Sequence, residues 1–185
     1  MRIEKLDSYS YLVFGGVLQS SISPTTIRDI LNGLTRENKL LGAQLFDHRL
    51  IWGYRHIHSA LWHAEKAKKS ESMISKTLAM EILLYTAGCR QIKKAIELVG
   101  IQEDTNKIIC VLLANTETPL SESYLIVKEK LQLQSDLTVI ENFSEKKEAV
   151  KKYLKDEGYK NVNHFSNEEI EKIFLQKVAL LSLEN

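Results

Sequence analysis

Four of the five histidines fall between His48 and His63, so metal binding is the first chemistry to consider. Two side chains sharing one ion on a helix must stand three or four residues apart. His56 and His63 are seven apart, about 10 Å along a helix axis. His58 and His63 are five apart and diverge, and His56 and His58 do not face each other. The two cysteines, Cys89 and Cys110, lack the spacing of a metal finger and sit in apolar surroundings, where buried free thiols are the expectation. Gly15-Gly16 stands alone, so no glycine-rich loop is available to cradle phosphate. No Gly-x-Ser-x-Gly elbow and no kinase signature set is present. No metal site and no cofactor is expected. A binding protein is expected ahead of an enzyme; a site assembled from distant residues is the enzymatic alternative.

The charges carry more information. The chain has 185 residues with 25 basic and 24 acidic side chains, a formal charge of +1. That balance argues against a nucleic-acid binder until the chain is divided. Residues 1–48 sum to 0, residues 49–100 to +5 and residues 101–185 to −4. Within the basic segment, Arg90, Lys93, Lys94 and Glu97 recur at helical spacing on the face opposite Ile92, Ala95, Ile96 and Val99. Three cations on one face would attract phosphates. Lys66, Lys68 and Lys69 close the preceding helix, where cations also complement the helix dipole. Met73 and Ile74 are apolar residues in the polar loop from Ser70 to Lys76. Apolar surface beside cations suits unstacked single-stranded bases, and equally a hydrophobic staple on the next helix.

These groups must be positioned by regular elements. Tyr9 to Val17 is β-branched and aromatic and predicts a strand. Ser23-Pro24 starts a helix with Ile27, Ile30, Leu31 and Leu34 on its buried face. Gly42 to Phe46 predicts a second strand, and apolar spacing from Leu50 to Ala67 a helix over 48–69, capped by Asp47. A buried helix over 75–87, a break at Gly88 and an amphipathic helix over 89–99 follow. Lys107 to Ala114 is apolar on both alternating faces, the pattern of a central strand. Further predictions are a helix over 121–133, a short edge strand over 137–140 and a charged helix over 144–157 with a solvated lysine face. A last helix begins at a Ser166/Glu169 capping box. Strands and helices alternate irregularly. The expectation is therefore an α+β class, one helix-rich domain over 1–185 with a small mixed sheet packed against helices.

With 44% hydrophobic and 26% charged residues the chain is not disordered. No apolar run reaches membrane-spanning length. The stretch from Met1 to Asp7 lacks the apolar core of a signal peptide. No membrane partner and a cytoplasmic location are expected.

The order of these segments resembles a known family. Gln44-Leu45-Phe46-Asp47, His56 with Ala60, Ala64 and Ala67, Met80-Glu81-Ile82-Leu83-Leu84-Tyr85, Gly88-Cys89-Arg90-Gln91-Ile92, Ala95 and Gly100-Ile101 are similar to the TPRKB-like family. Val178-Ala179-Leu180-Leu181 resembles its C-terminal helix. These proteins are the small regulatory subunits of KEOPS, which makes threonylcarbamoyladenosine in tRNA. The resemblance implies a non-catalytic subunit that binds the atypical kinase/ATPase subunit and, in archaeal members, recruits tRNA by its single-stranded 3′ CCA end. Carried over by position, the RNA-binding residues would be Lys68, Lys69, Ile74, Lys76, Arg90, Lys93 and Lys94. The kinase interface would use Ile170, Ile173, Phe174, Val178 and Leu181 of the last helix, unless these are core. Cys89 departs from the family, where a small hydroxyl residue is common. A purely protein-binding adaptor of the kinase without RNA contact is the alternative.

Overall fold

The computed structural model describes residues 3–183; Met1 and Arg2, which open the segment read for a signal peptide, lie outside them. The chain runs β1 (Ile3–Lys5), β2 (Ser10–Leu18), α1 (Pro24–Glu37), β3 (Gly42–Asp47), α2 (Tyr54–Lys69), α3 (Leu78–Ala87) and α4 (Ile92–Val99). It continues through β4 (Lys107–Ala114), α5 (Glu117–Lys130), β5 (Leu133–Ser135), α6 (Thr138–Glu141), α7 (Phe143–Asp156) and α8 (Asn167–Leu183). The α+β class expected from the sequence is what the chain adopts.

The sheet has the order β1-β2-β4-β3, with β5 also on β2. Every described pairing is antiparallel, so the sheet is antiparallel and not mixed. β2 and β3 run parallel to each other, but β4 lies between them, which makes β2–α1–β3 a split crossover. β4 carries the two-sided pattern read from its sequence. Ile109, Val111 and Leu113 join Phe46, Tyr11 and Val13 beneath α2, α3 and α8. Ile108, Cys110, Leu112 and Ala114 face the opposite way, with Leu12, Phe14 and Leu45, toward α1 and α5. The expected free thiols are present, although Cys89 is only half-buried.

Three segments depart from expectation. The helix predicted over 48–69 is a short 3-10 turn at His48–Leu50 and then α2, because Gly53 interrupts it. Gly53 has φ +83°, and a Cβ there would stand 3.0 Å from Glu141 Oε2. Asp47 caps the 3-10 turn, accepting from the Arg49 amide at 2.8 Å. The strand predicted over 137–140 is the turn of helix α6, organised by Asp136, whose Oδ1 accepts from the Thr138 amide at 2.9 Å. The edge strand is β5, just before it. The helix predicted over 121–133 begins earlier, at Glu117, and ends before β5.

A third apolar cluster joins α7 and α8 to Trp52. The Trp52 ring stacks on Phe174 at 6.5 Å, and its Nε1 donates to the Asn167 carbonyl at 3.0 Å. Here the solvated lysine face read for α7 needs correction. Lys146 is fully buried, and its Nζ donates to the Ile51 and Ile140 carbonyls at 2.8 and 2.6 Å. It occupies the stripe of Val150, Tyr153 and Leu154. Burial lowers its pKa to about 8, against the pull of Glu141 and Glu145.

Candidate functional site

The two sequence-predicted cation groups stand at opposite ends of α3. That helix is almost wholly buried, including Glu81. A buried carboxylate needs donors. Glu81 reaches back to the preceding loop, accepting from the Ile74 amide at 3.0 Å, the Ser75 amide at 2.8 Å and the Ser75 hydroxyl at 2.7 Å. This anchor fixes the loop that carries Ile74 and Lys76 beside the end of α2, where Lys68 and Lys69 lie. Thr77 then caps α3 through the Met80 amide, so the helix starts later than the predicted residue 75. Ile74 and Met73 are half-buried against the main core, as a staple would be, while Lys68 and Lys76 are exposed. Lys69 is engaged by Asp7 at 2.9 Å and Glu65 at 3.7 Å.

The second group sits at the α3–α4 turn. Gly88 ends α3 with φ +61°, and a Cβ there would come 2.9 Å from the Lys177 Cβ of α8. The turn therefore passes directly over α8. Arg90 is exposed in this turn, and Lys93 and Lys94 occupy the first turn of α4. Lys94 pairs with Glu157 at 3.2 Å, and Lys177 binds the other oxygen of that carboxylate at 2.7 Å. Glu157 is held below the usual carboxylate range, chiefly by the Lys177 bond and then by Lys94. Elsewhere in the basic segment, Arg49 is fixed by Asp47 and Asp104, and Arg55 by Glu171 at 2.7 Å. Among the described residues Lys68, Lys76 and Lys93 form no ion pair. The ten residues of α3 put about 15 Å between the two groups.

The apolar face expected for α4 is only half used. Ala95 and Val99 pack inward, whereas Ile92 and Ile96 are 44% and 43% exposed. The stripe proposed as a kinase interface goes the other way. Ile170, Phe174, Val178 and Leu181 are at most 4% exposed, and Ile173 is half-buried. Ile170, Phe174, Val178 and Leu181 fill the core between α8 and its neighbours and present no surface to a partner in this conformation; Ile173 alone of the five keeps partial exposure. The apolar surface of α8 lies elsewhere. Leu175 and Ala179 line a groove with Ser59, Trp62 and His63 of α2, and Leu183 extends their i, i+4 row. Trp62 is 43% exposed, with the Lys66 ammonium 4.7 Å over its ring. Sequence reasoning passed over Trp62, although an indole between alanines of a buried stripe faces outward by its spacing. It also missed the role of Glu81, signalled by a lone acid in an apolar helix.

The histidines disperse as their spacing implied. His56 accepts from the Trp52 amide at 3.2 Å, and burial lowers its pKa to about 4 against a hydrogen bond to the Thr86 backbone. His58 Nδ1 meets the Tyr11 hydroxyl at 2.8 Å. His48 is buried between Asp47 and Glu145, 3.6 Å from each, and its pKa is lowered by burial. Among the described residues no three His, Cys, Asp or Glu side chains converge as metal ligands, and no helix is long and apolar enough to cross a membrane.

Comparison with known proteins adds a family to this geometry. Residues 22–182 match the family model described as kinase binding protein CGI-121. The chain is 28% identical over 122 residues to the regulatory protein Cgi121 of Methanocaldococcus jannaschii, covering 66% of this chain and 73% of that protein. The matched span runs from the start of α1 to the end of α8 and includes both cation groups and the α2–α8 groove. The chain belongs to the CGI-121 family of kinase binding proteins.

Proposed function

We propose that this protein is a non-catalytic KEOPS subunit that holds the complex's atypical kinase/ATPase subunit and brings tRNA to it by the single-stranded 3′ CCA end. The observation that carries the RNA part is the distribution of cations around α3. Lys68 and Lys76 at one end and Arg90 and Lys93 at the other are exposed, on backbone fixed by Glu81 and by the Gly88 turn. Such a surface gives phosphates charge at two points about one α3 length apart and leaves Ile74 at the edge of the loop for base contact. Lys69 and Lys94 play a smaller part, because Asp7, Glu65 and Glu157 already engage them.

The kinase face of this reading is the outer surface of α2 and α8. Trp62, Leu175, Ala179, Leu180 and Leu183 are its apolar elements; Leu180 and Leu183 are 57% and 78% exposed. A half-exposed Trp beside aliphatic side chains is the composition of an interface anchor. The buried stripe of α8 shapes this face from beneath. Its cytoplasmic setting follows from tRNA and kinase as partners.

The test is a gel-shift titration of tRNA across salt, paired with co-purification of the kinase subunit. Arg90→Glu should lose most tRNA affinity and keep the kinase; Trp62→Ala should do the reverse. No tRNA shift even at low salt would leave the adaptor reading alone. Unchanged tRNA affinity of Arg90→Glu at physiological salt would remove Arg90 from the site.

A further inference from the structure

Tyr11 of β2 is 1% exposed, yet its hydroxyl has three partners. Glu4 Oε2 of β1 lies at 2.9 Å, and the Tyr54 hydroxyl and His58 Nδ1 of α2 each lie at 2.8 Å. A phenol has one proton to give and two lone pairs to fill. An ionised carboxylate only accepts, so the Tyr11 proton goes to Glu4. The other two contacts must then be donated to the Tyr11 oxygen, one by the Tyr54 hydroxyl and one by His58. His58 therefore carries its proton on Nδ1, and in the neutral ring Nε2 keeps a bare lone pair. Tyr54 also stacks on the ring, 6.2 Å between centroids and 18° from parallel, which fixes its plane. The two ring nitrogens diverge, so the lone pair is turned away from Tyr11. Among the described residues Nε2 has no hydrogen-bond partner. His58 is half-buried and lines the α2–α8 groove with Ser59, Trp62, Leu175 and Ala179.

We infer that Tyr11 is a positioning residue for kinase binding: it sets His58 as a hydrogen-bond acceptor in the groove, and the kinase subunit meets that acceptor with an N–H or O–H donor. The inference rests on the α2–α8 face being the kinase surface, as proposed above. Tyr11 is too deeply buried to touch a partner and acts only through His58. A partner that covers the groove takes water from Nε2. A buried acceptor left unmatched is costly, so an aliphatic or carboxylate group over His58 is rejected and a donor is selected. The groove thus divides its work. Trp62, Leu175 and Ala179 supply apolar contact area, and His58 supplies the polar point that fixes the partner's orientation.

The experiment combines nitrogen NMR of the His58 ring with titration of the purified kinase subunit against the full chain, both at about pH 8. The ring should carry its proton on Nδ1 alone. His58→Leu should weaken kinase binding about tenfold or more. His58→Gln, whose Oε1 stands near the place of Nε2, should recover most of that loss. Tyr11→Phe removes the acceptor of the Nδ1 proton; the NMR spectrum should show the proton moving toward Nε2, and kinase binding should weaken with it. The two His58 variants keep Tyr11 and its bonds to Glu4 and Tyr54, so they decide the matter if Tyr11→Phe does not fold. A ring proton on Nε2 in the unmodified chain, or equal losses for the Leu and Gln variants, would overturn the inference. So would full kinase binding by His58→Leu where Trp62→Ala abolishes it, and the kinase surface would then stand. Full binding by both variants would overturn the kinase surface itself, and the inference with it.

Discussion

Replacing Lys93 by Gln and Lys94 by Gln should have unequal effects on tRNA binding, although the two residues are adjacent and both exposed. Lys93 has no ion pair among the described residues, whereas Lys94 stands 3.2 Å from a Glu157 carboxylate that also binds Lys177. A cation already matched by a protein carboxylate displaces few counterions from RNA. If the three exposed lysines without an ion pair among the described residues, Lys68, Lys76 and Lys93, each neutralise one phosphate, they contribute a log–log salt slope of about −2.1 for a single strand. Raising salt fourfold then weakens binding about 20-fold. Lys93→Gln should reduce that slope to about −1.4, so the same rise in salt weakens binding only about 7-fold. Lys94→Gln should leave the slope near its starting value, as should Lys69→Gln at the other end of α3. The assay is fluorescence anisotropy of labelled tRNA at five or so salt concentrations for each variant. Equal slope changes for Lys93 and Lys94 would mean that charge pairing in the protein does not select the cations that bind.

Three further outcomes follow from the core. His56 is neutral in the fold with a pKa of about 4, against an ordinary value of 6.5. Between those pH values the unfolded chain binds a proton that the folded chain refuses, so stability present above pH 6.5 is lost as pH falls, by roughly 3 kcal/mol in all. Urea titrations at several pH values should show this loss, and a His56 that titrates near 6.5 by NMR would contradict it. Gly53→Ala should cost roughly 1–2 kcal/mol, from the left-handed backbone and the approach to Glu141, read as a lowered urea midpoint; an unchanged midpoint would contradict it. Glu81→Ala orphans the Ile74 and Ser75 amides and should cost roughly 1–3 kcal/mol per buried donor left unpaired. Hydrogen exchange should speed at Ile74 and Ser75 first, with tRNA affinity falling in step; protection unchanged at both amides would rule out the anchor.

Periodicity carried the sequence reading where one pattern had one physical meaning. The alternation of β4 assigns each residue to one of two apolar layers, and both layers exist. The capping box of α8 forms as written, with Ser166 Oγ accepting from the Glu169 amide at 3.2 Å and Glu169 accepting from the Ser166 amide at 2.7 Å. Apolar spacing failed where backbone sterics decided instead. Leu50 matches the stripe of α2, yet Gly53 adopts a backbone that no helix contains. Lys146 sits on the apolar stripe of α7, but its charge masked that position until two carbonyls were found to receive it. The α8 stripe shows the converse limit. Its spacing marks a buried face without saying whether the covering surface belongs to this chain or to another. The cations of the basic segment were legible as residues. Their pairing with Asp7 and Glu157 was not, because those acids lie far away in sequence; the Glu65–Lys69 pair, at i, i+4 on one face of α2, was within reach of the spacing.

In the function proposed above, the surface around α3 grips the single-stranded end of tRNA. The most direct measurement compares the affinity of one tRNA with and without its 3′ CCA, at physiological salt, on the unmodified protein. Trimming should remove most of the affinity, and a short oligonucleotide ending in CCA should compete for the site. Equal binding of trimmed and full-length tRNA would contradict it, leaving only general attraction between phosphates and a basic surface.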